Sequence, residues 1–201
     1  MDGALERRTE LAVARAAYDD ARGGLGTLLL LTGPAGIGKS TMLDAFGTAA
    51  TGLRTLRARA DELETDLPFG VVRQLFEGLL RADPGLADRV LVDAARVART
   101  VVLPSGEHSP VSPQEAAYAL TWLVANLAAE QPLLLLVDDL AWTDDASSRW
   151  LRHLAARLDE LPVVVAATLR TGGPRPAYVA DLLDVPRATE LPLEVLSAGA
   201  V

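Results

Sequence analysis

"LLLLTGPAGIGKST" spans Leu28–Thr41, and its reading decides the fold. Four consecutive leucines bounded by glycines mark a short strand buried on both faces. Gly33, Gly38, Lys39 and Ser40 fit G-x-x-x-x-G-K-[ST] without a mismatch, and "KSTMLDAFGTAA" continues as a helix. Lys39 is the only lysine in the chain, although Lys and Arg together number 19. A chain that uses arginine everywhere else keeps a compact, movable ammonium here, where a planar guanidinium would change the geometry.

The loop has a chemistry of its own. Gly36 and Gly38 permit backbone angles that turn successive N–H groups inward, which makes an anion nest. The helix starting near Lys39 adds its positive end. The pattern therefore predicts that Gly33, Pro34, Ala35, Gly36, Ile37, Gly38, Lys39, Ser40 and Thr41 hold the phosphates of ATP. Lys39 follows the β- and γ-phosphates, Ser40 offers its hydroxyl to Mg²⁺, and Thr41 reaches an α-phosphate oxygen. A GTPase that selects guanine with N-K-x-D needs a second lysine and is excluded. So are ATPases with a second signature lysine in the loop, and no "LSGGQ"-like stretch argues for a transporter ATPase.

Outward from the loop, apolar runs alternate with helical patterns. Residues 4–22 are amphipathic; "LRTLRARA" (53–60) alternates as a strand; "PLLLLVDDL" (132–140) and "PVVVAATLR" (162–170) are further buried strands. "PFGVVRQLFEGLLRA", "LADRVLVDAARVARTVV", residues 114–130 and residues 145–160 are predicted helices. "PAYVADLLD" is a short one, and residues 188–193 form a last strand. "LPSGEHSPVSP" (103–113) is the clear loop. This alternation predicts an α/β fold, a three-layer sandwich around a mostly parallel sheet. The whole chain, 1–201, is expected to be one domain: an N-terminal helix (4–26), a core (27–196) and the start of a linker (197–201).

Two acids end the run "LLLLVDDL", and ligands of open α/β sheets sit at the carboxyl ends of strands. Asp138 is expected to hold Mg²⁺ through its water shell, and Asp139 to orient or deprotonate an attacking water. The alternative is a strand-end pair that caps the next helix. The second acid is one methylene shorter than glutamate, which predicts slow hydrolysis. If "VVVAATLR" lies between the loop strand and the Asp138 strand, Thr168 and Arg170 point toward the γ-phosphate, where Arg170 stabilises its charge.

The bulk composition narrows the classes. The chain has 201 residues, half of them apolar, and a formal net charge of −8. No basic run supports direct nucleic-acid binding. No apolar run approaches the roughly 18 residues that span a bilayer, and "MDGALERRTELA" lacks the core of a signal peptide. The absence of cysteine fits a reducing cytoplasm. Trp122, Trp150 and Leu151 are expected in the core and Trp142 in the core or at its rim. His108, in the Pro/Ser loop, is expected to be solvated, and His153, on a charged helix, has no catalytic partner in sequence. "DELETD" and "RADPGLADR" are expected to be solvated surface.

"ERRTELAVARAAYDDA", "GPAGIGKST", "LPFGVVRQLFEGLL", "LLLLVDDLAWTDDASSRWLRHLAARL" and "VVVAATLR" together resemble the N-terminal ATPase domain of large LuxR-family transcriptional regulators of actinobacteria, members of the STAND class of AAA-related signalling ATPases. The resemblance covers residues 4 to 199. It implies a P-loop core with an extra strand between the strands of the two nucleotide motifs, and a sensor arginine at Arg170. Family members open with a G-R-E-like motif near the adenine; here the position reads Glu6, Arg7, Arg8, and only Arg7 matches. The lid, helical-repeat sensor and helix-turn-helix of the family have no counterpart in the sequence, so a fragment or a solitary module is expected. The implied function is an ATP- and Mg²⁺-dependent switch in the cytoplasm that self-associates through its ATPase face. Two other readings stay open: a small-molecule phosphotransferase, and an oligomerising nucleotide-binding module that never turns over.

Overall fold

The computed structural model describes residues 8–104, 111–173 and 175–194. Glu6, Arg7, His108 and the expected linker start lie outside these residues. Five strands form one sheet: β1 (Thr27–Gly33), β2 (Arg54–Arg59), β3 (Leu133–Asp138), β4 (Val163–Arg170) and β5 (Ala188–Pro192). Their order is β2-β3-β4-β1-β5, and every pairing is parallel. The sheet is thus parallel throughout, and β4 lies between β1 and β3, where the extra strand was expected. The three central strands are continuous apolar runs because both of their faces are covered. β2, at one edge, alternates buried and exposed residues.

Side chains of successive strand residues point to opposite faces, and each face has its own core. On one face Leu29, Leu31, Leu134, Leu136 and Val164 pack against α1 (Arg8–Arg22) and α2 (Lys39–Ala49). Tyr18 of α1 donates to the Phe46 carbonyl of α2 at 2.9 Å. On the other face Leu28, Leu30, Leu133, Leu135 and Val165 pack against a larger helical layer. Its members are α3 (Gly70–Ala82), α4 (Pro84–Val90), α5 (Arg99–Val102), α6 (Pro113–Glu130), α7 (Asp145–Ala155) and α8 (Ala177–Leu183). The result is the expected three-layer α/β sandwich. Among the described residues, no helix is long and apolar enough to cross a membrane.

Three details differ from the sequence reading. "LADRVLVDAARVARTVV" is not one helix: α4 stops at Val90, Asp93–Ala98 is a 3-10 turn, and α5 follows. Asp93 starts the turn at a positive φ of 48°. The helix expected over 145–160 ends at Ala155, with a 3-10 turn at Leu158–Glu160. Trp122 is not core: it stands 44% exposed on α6, whereas Trp150 is fully buried against Phe76 as expected.

Candidate functional site

β1 ends at Gly33, and the loop to α2 needs left-handed backbone at Gly36 (φ 77°) and Gly38 (φ 95°). A Cβ at either position would meet nothing within 4 Å, so backbone angle and not space requires glycine. Gly38 is the N-cap of α2; it brings no side-chain cap, and no acid stands in the first turn. The first amides of α2 thus lack intrahelical partners and face the cleft with the positive end of the helix dipole.

Lys39 is buried at the base of this loop. Its Nζ donates to the carbonyls of Gly33 at 2.9 Å and Pro34 at 2.7 Å. Burial lowers the pKa of the ammonium and Arg170 adds to the effect, while Asp139 and Asp138 oppose it. The Gly33 carbonyl also accepts from the Thr171 amide at 3.0 Å, which ties the loop to the end of β4.

Sheet register brings the acids to the same place. Asp138, the last residue of β3, is buried and accepts from Ser40 Oγ at 3.1 Å and Thr168 Oγ1 at 2.6 Å. Thr168 Oγ1 in turn accepts from the Asp139 amide at 2.7 Å. This relay holds Asp139 at a positive φ of 65°, outside the strand. Asp139 Oδ2 is 2.6 Å from Arg170 Nη2, while Oδ1 is buried without a partner among the described residues. Arg170 lies opposite Gly33 in the β1–β4 register. Neither acid caps a helix through its side chain. That task falls to Asp144, whose carboxylate accepts from Ser147 N at 2.9 Å at the start of α7.

These groups line a cleft of about 360 Å³ that includes Ala35, Gly36, Gly38, Lys39, Ser40 and Thr41. Of the nine loop residues read from the sequence, Ile37 turns its side chain into the core beside α1 and α2, and Gly33 and Pro34 contribute carbonyls that hold Lys39. Thr168 and Arg170 also line the cleft. Two cations were missed. Arg59 ends β2 and lines the same cleft, which only the placement of β2 beside β3 reveals. Arg57, two residues earlier, pairs with Asp44 and stands 3.9 Å from Asp138 Oδ2.

The residues present fit a magnesium nucleotide. The uncapped amides and Lys39 suit phosphate oxygens, and the Ser40–Asp138 pair presents the oxygen donors that a hard cation prefers. Asp139 lines the same cleft, and its Oδ1 is buried without a hydrogen-bond partner among the described residues.

Comparisons with known proteins bear on the fold and the family. A curated relative, an uncharacterized protein of Rhizobium meliloti (strain 1021), is 25% identical across 96% of this chain. The chain spans 20% of that relative's length. Two solved structures share the fold. The Aeropyrum pernix ORC1 protein in complex with DNA matches 96% of this chain and 46% of its own, at 16% identity and a TM-score of 0.51. A signal transduction ATPase with numerous domains (STAND), a Pyrococcus horikoshii protein with a tetratricopeptide repeat sensor, matches 95% of this chain and 23% of its own, at 17% identity and a TM-score of 0.51. The sequence model of the AAA ATPase domain family matches residues 5–166, and the chain belongs to that family.

Proposed function

We propose that this chain is the ATP-binding and slowly hydrolysing switch of a LuxR-type signalling regulator. The observation that carries the reading is the convergence of Lys39, Ser40, Asp138 and Asp139 on the uncapped start of α2. The regulatory setting rests on the resemblance of "LPFGVVRQLFEGLL" and "LLLLVDDLAWTDD" to such regulators.

In this reading Lys39 leaves the Gly33 and Pro34 carbonyls and follows the β- and γ-phosphates. Ser40 and Asp138 would hold Mg²⁺, which when bound would supply positive charge to the phosphates. The Asp139 carboxylate accepts a proton from a water that attacks the terminal phosphorus, and the bond to the bridging oxygen breaks to leave ADP and phosphate. Asp139 also holds Arg170 through Oδ2, so the same carboxylate orients the water and the arginine that meets the γ-phosphate. Asp138 and Thr168 fix the backbone of Asp139, which keeps this acceptor in place.

Calorimetric titration with ATP, with and without Mg²⁺, tests the reading. Lys39→Ala should abolish binding, and Asp139→Asn should keep binding and lose turnover. Normal ATP affinity in the Lys39 variant would overturn the assignment. Self-association through the cleft face belongs to the same proposal, and sedimentation in ATP and in ADP checks it.

A second reading, phosphoryl transfer to a small molecule, draws on one observation. An apolar pocket of about 360 Å³, walled by Trp142 and Pro176, adjoins the cleft across Arg170. Its loop offers little further positive charge, because Arg175 pairs with Glu190 at 3.1 Å. ATP consumption that rises with an added metabolite would favour this reading over the switch.

A further inference from the structure

We propose that the groove between α6 and α7 binds a one- or two-ring aromatic molecule bearing an N–H or O–H donor, of the indole or phenol class. The site is independent of the nucleotide reading. The chain has only nine aromatic residues, three each of Trp, Tyr and Phe. All nine lie among the described residues, and only Tyr118 and Trp122 are strongly exposed, at 49% and 44%. They are one helical turn apart on α6. Their ring centroids are 6.3 Å apart at an interplanar angle of 72°. The His153 ring of α7 stands 6.3 Å from Tyr118 at 78°. Three rings thus meet edge to face around one opening, an arrangement that suits another ring.

The opening is a cavity of about 210 Å³ with Arg157 and Glu160 among its lining residues. That is below the roughly 300–1,000 Å³ of pockets for drug-sized ligands, which sets the occupant at one or two rings. Two polar side chains of its lining, Thr121 and His153, are held against each other. The Thr121 hydroxyl donates its single hydrogen to the Ala117 carbonyl at 2.9 Å. Its 2.9 Å contact with His153 Nδ1 is therefore an acceptance, so Nδ1 carries the hydrogen and Nε2 presents a lone pair. Burial first, and Arg157 second, lower the His153 pKa and favour that neutral form. Among the described residues nothing is hydrogen-bonded to Nε2. An aromatic ligand with a donor satisfies both the rings and this acceptor.

The groove is remote from the phosphate cleft. Leu161, another lining residue, stands two positions before β4, whereas Arg170 ends that strand in the cleft. Roughly 25 Å of extended chain separates the two ends. Variants in the groove therefore leave the nucleotide residues untouched.

Ligand-observed NMR and calorimetry with indole and p-cresol test the proposal, with indene and toluene as donor-free probes. Saturable binding of indole and p-cresol, at least tenfold tighter than their donor-free counterparts, is expected. Trp122→Ala and Tyr118→Ala should each weaken indole at least tenfold without changing the unfolding temperature, both side chains being exposed. His153→Phe should bring indole down to the affinity of indene. Absence of saturation, unchanged affinity in both aromatic variants, or equal binding of indole and indene by the parent chain would overturn the proposal. So would sedimentation that shows a dimer abolished by Trp122→Ala, because the groove would then be occupied by a second copy.

Discussion

Asp144 is almost fully buried, and its carboxylate accepts from three backbone amides: Phe69 at 2.8 Å, Val71 at 3.4 Å and Ser147 at 2.9 Å. The last is the N-cap of α7. The first two belong to the start of α3, where Phe69 sits at a positive φ of 61° and offers no cap of its own. One side chain therefore closes two helix ends. Asp144→Ala should destabilise the chain by about 2–4 kcal/mol in urea unfolding, from the lost caps and the buried amides left without partners. Asp144→Asn keeps one carbonyl oxygen and should cost about half as much. This residue also marks what was legible. Lys39, Ser40, Asp138 and Asp139 could be read because each sits at a strand end or in a local pattern whose chemistry is self-contained. Asp144 could be read only as a neighbour of its own helix, since Phe69 lies 75 positions away in sequence. Arg59 was invisible for the same reason: β2 reads as a strand, but nothing local says that it sits beside β3.

Every strand and most helices were legible, because a run buried on both faces and a 3.6-residue stripe leave different patterns. The exception, residues 91–102, buries Ala95, Ala98 and Val101 at intervals of three. That spacing suits a 3-10 turn as well as a helix, so periodicity alone does not separate them. α8 shows how a weak element is held. Seven residues are too few for a stable helix in water. Two contacts anchor it: the Tyr178 hydroxyl donates to the Leu140 carbonyl, and Asp181 pairs with Arg152 at 3.0 Å. Burial pushes the Tyr178 phenol up to about 12 from an ordinary 10.0, with the neighbouring Thr143 side chain opposing and Asp144 adding to it. The folded chain thus holds this proton more tightly than the unfolded chain. Above pH 10 the unfolded state ionises first, so stability falls with pH until the folded phenol itself titrates near 12. The slope reaches about 1.4 kcal/mol per pH unit. Tyr178→Phe should be less stable than the parent at neutral pH, but should lose less stability between about pH 9 and about pH 11. Equal losses in the two chains would show that Tyr178 does not carry the effect. Gly26 is the corresponding point of close approach at the start of β1. A Cβ there would meet the carbonyl oxygens of Leu158, Val163 and Leu161 at 2.4, 2.6 and 2.7 Å. Gly26→Ala should cost on the order of 1–3 kcal/mol in the same assay.

A parallel sheet with helices on both faces gathers the carboxyl ends of its strands at one rim, and the cleft is built there from β1, β2, β3 and β4. The two hydrophobic layers are continuous behind it, so the cleft residues are positioned by the whole core. Ligand binding should therefore register as global stability. Nucleotide at a hundredfold excess over its dissociation constant adds about 2.7 kcal/mol. For a chain of this size each kcal/mol raises the melting temperature by about 2–4 °C, so ATP with Mg²⁺ should raise it by roughly 5–11 °C. Lys39→Ala should abolish the shift. Arg170→Ala tests a finer point, because Arg170 is half exposed and held at the cleft by Asp139. An arginine that meets the terminal phosphate has nothing to meet in ADP. Its removal should shrink the shift caused by ATP and leave the shift caused by ADP in place. Equal losses with both nucleotides would mean that Arg170 supports the cleft through Asp139 and does not read the third phosphate.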